Sequence, residues 1–574
     1  MCPFELLQEL VNLEAIDLSE CKQLRHLPDL SGALKLKQLR LSGCEELCEV
    51  QPSAFSKDTL DTLLLDRCIK LESLMGEKHL PSLMYFSVKG CRNLKEFSLS
   101  SDSIKGLDLS KTGIEILHPS IGDMNNLRLL NLEDLNLTNL PIELSRLRSL
   151  TELRVSKCSV VTKSMLEALF DGLGSLTLLH LKYCCNLFEL PANISSLSSL
   201  YELRVDGSSV EELPASIKDL SKLTFQSLDN CSKLRCLPEL PSSIKEFQAD
   251  NCTSLVTVST LKTFSINMIG QKKYISFKNS IKMELDGPSL DCITEDAMLT
   301  MKSAAFHNVL VRKYRFQTHS FNYNSAEICL PGHRVPRQFK HRSTTNSIIT
   351  MNISNSLGFI FAVVGSPSNR TKKNGYFVEM HCQCYSEDGK RQVGYKSRWN
   401  CKPITNLNMD HVFVWYDPYH SDSIIRCSER KISFKFCVKT LTSSRRELGG
   451  LLSIKECGVC PIYYSESQIV LGTGNLDKDL ELELYQEIQF ERSVEGCDER
   501  EGIDIESNEI ADDQEGTGIQ NQELDLNENC HRSYDCLIGM KLFKFFHRCY
   551  MLYFFCCFFY NSKLQYYINL FFFN

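Results

Sequence analysis

Apolar residues recur along the first 260 or so positions with neither the 3.6-residue period of an amphipathic helix nor the strict alternation of a half-buried strand. A frame LxxLxLxxC returns instead from Leu13, Leu36, Leu60, Leu83, Ile104, Leu127, Leu150, Leu176, Leu200, Leu223 and Ile244, at steps of 21 to 26 residues. With the one exception of Gln226, these eleven units are apolar at offsets 0, 3 and 5, and most close on an "L..LP" segment, as in LRHLPDL, LTNLPIEL, LFELPANI, VEELPASI and LRCLPEL. Such a pattern predicts an α/β leucine-rich-repeat solenoid, a curved horseshoe. One coil cannot bury its own leucines, so stacked coils share a continuous core, and the proline after each strand sends the chain to the convex side.

Offset 8 holds Cys21, Cys44, Cys68, Cys91, Cys158, Cys184, Cys231 and Cys252, interrupted by Thr112, Leu135 and Ser208. A small weak donor just past the strand can satisfy buried backbone groups of the neighbouring coil, so these thiols are expected to form a structural ladder. Their one-per-coil spacing argues against disulfides or a metal cluster among them. With offsets 3 and 5 turned inward, offsets 2, 4, 6 and 7 are expected to face outward on the concave sheet. Candidate partner-binding residues on that face are Arg40, Asp66, Lys89, Arg154, His180, Lys182, Tyr183, Arg204 and Asp206, with Arg154, His180, Lys182, Tyr183 and Arg204 read as a basic and aromatic strip over three repeats. An irregular surface of this breadth suits a folded protein partner better than a small molecule.

The repeat signal ends at Leu255. Residues 291–313 (DCITEDAMLTMKSAAFHNVLVRK) read as an amphipathic helix, and beyond Phe321 the period changes to two. The runs SIITMNIS, GFIFAVVG, GYFVEMHCQCY, HVFVWY and KISFKFCV predict an all-β sandwich with a core of Phe359, Phe361, Phe377, Phe413, Trp415, Phe434 and Phe436. The expected organisation is a solenoid over residues 1–262, a helical connector over 263–320, the sandwich over 321–470, an acidic disordered segment over 471–533 and an aromatic-rich tail over 534–574.

Charge sharpens this division. The 574 residues carry a net charge of −7, but residues 301–460 hold 24 Lys+Arg against 10 Asp+Glu, while residues 495–528 hold 13 acidic groups against Arg500 alone. A uniformly basic nucleic-acid binder is excluded, and nucleic acid is not the expected partner. The acidic segment is too polar to fold; it is read as solvated charge that keeps the protein soluble, with shielding of the basic domain as the alternative. The tail KLFKFFHRCYMLYFFCCFFYNSKLQYYINLFFFN holds 10 of the 31 phenylalanines, yet its uncharged apolar run, Cys549 to Tyr560, is shorter than the roughly 18 to 20 residues a spanning helix needs. A membrane is therefore not the expected partner; the bias is that of translated AT-rich non-coding sequence, with an anchor as the alternative. The opening MCPFELLQEL lacks the features of a secretory signal, which points to a reducing compartment.

No HExxH, GxSxG or kinase signature is present, so no catalytic residues and no cofactor are expected. HCQC (His381, Cys382, Cys384) and CGVC (Cys457, Cys460) are the remaining thiol motifs. HCQC falls in a predicted strand, which puts His381 and Cys382 on opposite sides, and no metal is expected there.

The block CLPGHRVPRQFKHRSTTNSIITMNI, followed by GFIFAVVG, DHVFVWYDP and IKECGVCPIY, resembles the post-repeat domain of plant intracellular immune receptors of the Toll/interleukin-1-receptor, nucleotide-binding, leucine-rich-repeat type. The repeats LVNLEAIDLSECKQLRHLPDLS and LDNCSKLRCLPELPSSIKEFQADNCTSL are similar to theirs as well, so the resemblance covers roughly residues 1–465. It implies that the solenoid and a jelly-roll or immunoglobulin-like sandwich together bind a pathogen effector protein, with His333, Arg334, Arg337, Lys340 and Arg342 as candidate contacts on the post-repeat domain. It further implies a cytoplasmic location, with the nucleus as alternative. The chain departs from the family in having no GxxxxGK[ST] phosphate loop and no N-terminal signalling domain, and it opens inside a repeat. No nucleotide is expected to bind, and the nucleotide-binding part of a full-length receptor becomes a candidate partner. The expectation is a non-catalytic recognition module; the alternatives are a repeat-type substrate adaptor of a ubiquitin ligase and a truncated receptor fragment without signalling activity.

Overall fold

The computed structural model describes residues 11–466 apart from 52–53, 55–57, 76–79, 99–100, 260–271, 281–287, 314–323, 345–346, 369–376, 388, 401–406, 428, 443–445 and 448–449. The expectations for the acidic segment and the aromatic tail therefore lie outside the described residues.

Each repeat contributes a short strand at offsets 2 to 4, from Ala15–Asp17 through Tyr85–Ser87 and Glu202–Arg204 to Glu246–Gln248. These strands pair in parallel with every frame in register: Ile16 faces Leu39, Leu153 faces Leu179, and Leu203 faces Gln226. The inward columns at offsets 0, 3 and 5 build one continuous core of buried Leu, Ile, Val and Phe. On the convex side the LP segments start one-turn 3₁₀ helices capped by Pro141, Pro191 and Pro214, where a missing N–H costs nothing. The longest step, 26 residues, leaves room for a true α-helix, Lys163–Phe170, capped by Thr162 accepting from Met165 N.

Offset 7 does not face outward as a strand position. In all eleven repeats it is a left-handed residue: Glu20, Gly43, Arg67, Gly90, Lys111, Asp134, Lys157, Tyr183, Gly207, Asn230 and Asn251 all have φ between 56° and 81°. The kink breaks the strand, and the freed amide donates to the offset-6 carbonyl of the next coil, as in Gly43 N to Asp66 O (2.6 Å), Tyr183 N to Asp206 O (2.7 Å) and Gly207 N to Asp229 O (2.7 Å). One residue further on, the ladder thiols donate backwards to the offset-5 carbonyl of the preceding coil: Cys44 to Leu18 (3.2 Å), Cys68 to Leu41 (3.3 Å), Cys91 to Leu65 (3.0 Å), Cys231 to Val205 (3.2 Å) and Cys252 to Leu228 (3.2 Å). Ser208 Oγ does the same toward Leu181 O at 2.7 Å, which explains why serine can replace cysteine there. Cys184 Sγ instead lies 3.7 Å from Lys182 O in its own coil.

The repeats do not stop at Leu255. The strand Lys272–Ser276, inside the stretch expected to be a helical connector, pairs in parallel with Glu246–Gln248 and buries Ile275 and Phe277 at offsets 3 and 5. Asn279 is left-handed at offset 7 (φ 56°), and Ser280 Oγ donates to Ala249 O at 2.8 Å as its ladder residue. Two features hide this twelfth coil from the frame: a 28-residue step and a lysine, Lys272, where an aliphatic residue normally stands. The helix Pro288–Lys313 follows.

The strand Ser325–Pro331 then pairs in parallel with Lys272–Ser276 on one edge and antiparallel with His411–Tyr416 on the other. From there the sheet runs on through Ser356–Pro367, Leu452–Tyr463 and His341–Ser343. Concave repeat sheet and first sandwich sheet are thus one 17-stranded sheet. One face of the sandwich part, with Ile328, Leu330, Ile360, Ala362, Val364, Val412 and Val414, joins the solenoid core and the helix residues Met298, Met301 and Ala305. The other face, with Phe359, Phe361, Phe413 and Trp415, packs on a second antiparallel sheet of Ile348–Asn352, Lys431–Leu441, Phe377–Ser386 and Gln392–Asn400, which contributes Phe434 and Phe436. Burial on both faces is why GFIFAVVG and HVFVWY read as unbroken apolar runs.

Candidate recognition surfaces

The expected basic strip comes together in space but not as free charge. Arg154 Nη2 donates to Glu152 Oε2 at 3.1 Å, and Arg204 Nε donates to Glu202 Oε1 at 2.6 Å. His180 Nε2 lies 2.9 Å from the same Glu202 oxygen, and Lys182 Nζ lies 3.6 Å from Glu133. The acidic partners at offset 2 are the immediate outward neighbours of the offset-4 bases, so alternation itself pairs them. Burial lowers the His180 pKa, with Glu202 opposing. Burial would raise the Glu202 carboxyl, yet the hydrogen bonds from His180 and Arg204 outweigh it and bring it down to about 2. His180 is 6% exposed and contributes no free surface. Arg204 also lies over the Phe225 ring at 4.2 Å.

Tyr183 remains outward, 51% exposed, and its ring lies where a side chain at Gly207 would collide with it. Arg40 is half-buried and donates to Gln38 at 3.2 Å; Asp66 accepts from the Lys89 amide at 3.1 Å while the Lys89 side chain is exposed. Asp206, Asp229 and Asp250 form an acidic offset-6 column. Burial, with Asp250 adding to it, pushes the Asp229 carboxyl up to about 7, and Asp250 is itself paired to Lys278 Nζ at 2.8 Å.

The post-repeat loop differs. Val335 and Phe339 are buried and rest on Gly458, where a Cβ would lie 2.7 Å from Val335 and 3.0 Å from Phe339. Val335 N donates to Glu456 Oε2 at 2.7 Å. With the loop pinned at these points, Arg334, Arg337, Lys340 and Arg342 are exposed and His333 is half-buried. Among the described residues none of the five makes an ion pair, whereas nearby Lys455 is paired to Asp410 at 2.6 Å.

Between the two surfaces lies a seam that the frame alone does not reveal. Asn279 N donates to His411 Nε2 at 2.9 Å, His411 Nδ1 meets Met409 O at 2.7 Å, and Asn408 N donates to Asn279 Oδ1 at 3.1 Å. Burial lowers the His411 pKa to about 4.

No family model matches the chain. Among curated proteins it is similar to the disease resistance protein RPS4B of Arabidopsis thaliana, 27% identical over 81% of this chain and 39% of that protein. It is 24% identical to the Arabidopsis protein SUPPRESSOR OF npr1-1, CONSTITUTIVE 1 over 80% of this chain and 30% of that protein. For the Arabidopsis disease resistance protein RPP5 the figures are 25%, 81% and 31%. The chain therefore spans less than half the length of these relatives. Among solved structures, the leucine-rich repeat domain of the type III effector XopL matches with TM-score 0.28 and 20% identity, covering 33% of this chain and 66% of that one. A functional domain of InlJ from Listeria monocytogenes, described as including a cysteine ladder, matches with TM-score 0.30 and 15% identity over 47% of this chain and 66% of that one. Over about 80% of its length, the homologues of this leucine-rich-repeat chain are plant disease-resistance proteins of the Toll/interleukin-1-receptor, nucleotide-binding, leucine-rich-repeat type.

Proposed function

We propose that the chain is a non-catalytic recognition module of a plant disease-resistance receptor, and that it binds a pathogen effector protein inside the cell through the post-repeat loop together with the concave repeat face. The observation that carries this reading is the contrast in charge pairing. Arg154, Lys182 and Arg204 of the concave strip are paired to neighbouring glutamates, while Arg334, Arg337 and Lys340, on a loop held by Val335 and Phe339, and Arg342 on the strand after it are exposed with no ion pair among the described residues. Free cations on a fixed scaffold favour an acidic partner surface, and they lose little conformational entropy on binding. Tyr183 and Arg204 supply the aromatic and arginine anchors of the concave face. Association with the nucleotide-binding part of a receptor is part of the same proposal.

The test is a biolayer binding screen of the purified chain against a panel of pathogen effector proteins. An effector that binds should lose at least tenfold in affinity, about 1.4 kcal/mol, against the triple variant R334E/R337E/K340E. It should bind the exposed-cysteine control C48S unchanged. Binding indifferent to the charge reversal, or no effector bound at all, would remove the reading.

A further inference from the structure

The sandwich interior holds a cluster that the recognition surfaces do not use. Cys382 and Cys384 are two apart on the strand Phe377–Ser386 and both point into the core, while His381, just before them, points away toward Glu379 at 3.1 Å. Opposite them is His420, in the first turn of the helix Pro418–Ile425. The helix is fixed there by Asp417, which accepts from His420 N at 3.1 Å and from Ser397 Oγ at 3.0 Å. The two sulfurs and a ring nitrogen of His420 lie within 4.8 Å of one another, and Cys384 Sγ is 3.4 Å from His420 Nε2. Ligands around a tetrahedral zinc ion, with Zn–S about 2.3 Å and Zn–N about 2.0 Å, sit roughly 3.5 to 3.8 Å apart. No large displacement separates the present arrangement from that one.

We propose that Cys382, Cys384 and His420 form a structural site for a thiophilic divalent cation, zinc in the cell. The third donor is neither His381 of HCQC nor a thiol of CGVC but a histidine on a helix 36 residues from Cys384. All three residues are fully buried, and Phe361 (5.5 Å from the His420 ring) and Phe434 (opposite Cys384) keep the site dry. A simple thiol–imidazole hydrogen bond accounts for Cys384 but leaves Cys382 as a second thiol in the same contact. Zinc would take both cysteines as thiolates, with release of the protons they carry. Cys427, half-buried two residues past the end of that helix and packed against the same core, is the candidate for a fourth donor. The ion would clip the second sheet to the helix that follows the strand His411–Tyr416 of the first sheet, tying the two layers together.

The experiment is a cobalt titration of the full chain, purified under reducing conditions and stripped of metal. One equivalent of Co²⁺ should give thiolate-to-cobalt charge-transfer absorption and the intense visible bands of a tetrahedral ion. Cys384→Ser and His420→Gln should abolish both, Cys427→Ser should weaken binding about tenfold, and Cys48→Ser should change nothing. Absence of these bands from the folded wild-type chain in excess cobalt would overturn the proposal, as would their persistence in His420→Gln. Should the core variants fail to fold, alkylation mapping of the wild type decides: zinc should protect Cys382 and Cys384 from iodoacetamide at moderate denaturant, and equal labelling with and without zinc overturns the site.

Discussion

Tyr183 and Gly207 occupy the same point of successive coils, both left-handed, and the ring of one fills the space above the other. Left-handed backbone costs a side-chain-bearing residue roughly 1 to 2 kcal/mol, so the coils carrying Arg67, Lys111 or Tyr183 there are held by stacking against neighbours rather than by local preference. Gly207→Ala, with φ +67° and a Cβ that would fall 2.3 Å from the Tyr183 ring, should destabilise by about 2 kcal/mol. In a Tyr183→Ala background the cost should fall to about 1 kcal/mol, a coupling that a double-mutant cycle by urea denaturation would measure. The ladder makes a second expectation. Cys231→Ser keeps a donor for Val205 O and should be mild, whereas Cys231→Val removes one of that carbonyl's two donors, leaving the Ser208 amide, and should cost about 0.5 to 1.5 kcal/mol. Equal denaturation midpoints for the two variants would show that the thiol serves only to fill space.

At the scale of the element, the seam between the last coil and the sandwich depends on a histidine held neutral. His411 accepts from Asn279 N through Nε2, and burial lowers its pKa from about 6.5 to about 4. Between those values the unfolded chain binds the proton and the folded chain does not, so stability is lost as pH falls from about 6.5 toward 4, by at most roughly 3 kcal/mol. His411→Gln retains an acceptor without titrating, and its melting temperature should fall less steeply over that window; parallel slopes would assign the acid sensitivity elsewhere. Nothing in the local sequence announces this seam, because Asn279 and His411 are 132 residues apart and meet only through sheet pairing. The repeat frame was legible because burial repeats at offsets 0, 3 and 5, and six of the expected sandwich aromatics sit in its core for the same reason; the side chain of the seventh, Phe377, lies outside those described. The charge pairing of the concave strip was harder to see, since Glu152 and Glu202 were visible but read apart from Arg154 and Arg204. Cys382 and Cys384 were legible as a motif, but His420 was not, as its partnership with them is set by helix placement rather than spacing.

For the molecule as a whole, the twelfth coil covers Glu246–Gln248 and the sandwich strand Ser325–Pro331 covers that coil's strand in turn, so the 17-stranded sheet leaves no free repeat edge at Glu246–Gln248. A chain truncated after residue 262 would expose that edge and take Lys278 away from Asp250. It should self-associate where the full chain does not, as light scattering after size-exclusion chromatography would report; a monodisperse truncated chain would mean that the last coil caps itself. The shared sheet also bears on mechanics. Two bodies joined by a flexible tether can swing freely, and a partner pulling on one leaves the other at rest. Here the joint is a ladder of backbone hydrogen bonds of the same kind that holds the coils to each other, so it offers no soft point where bending would concentrate. A load applied at Arg334 or Arg337 would be shared among many strand pairs, each yielding slightly, and would reach the early coils as a small change of curvature rather than as the swing of a hinge.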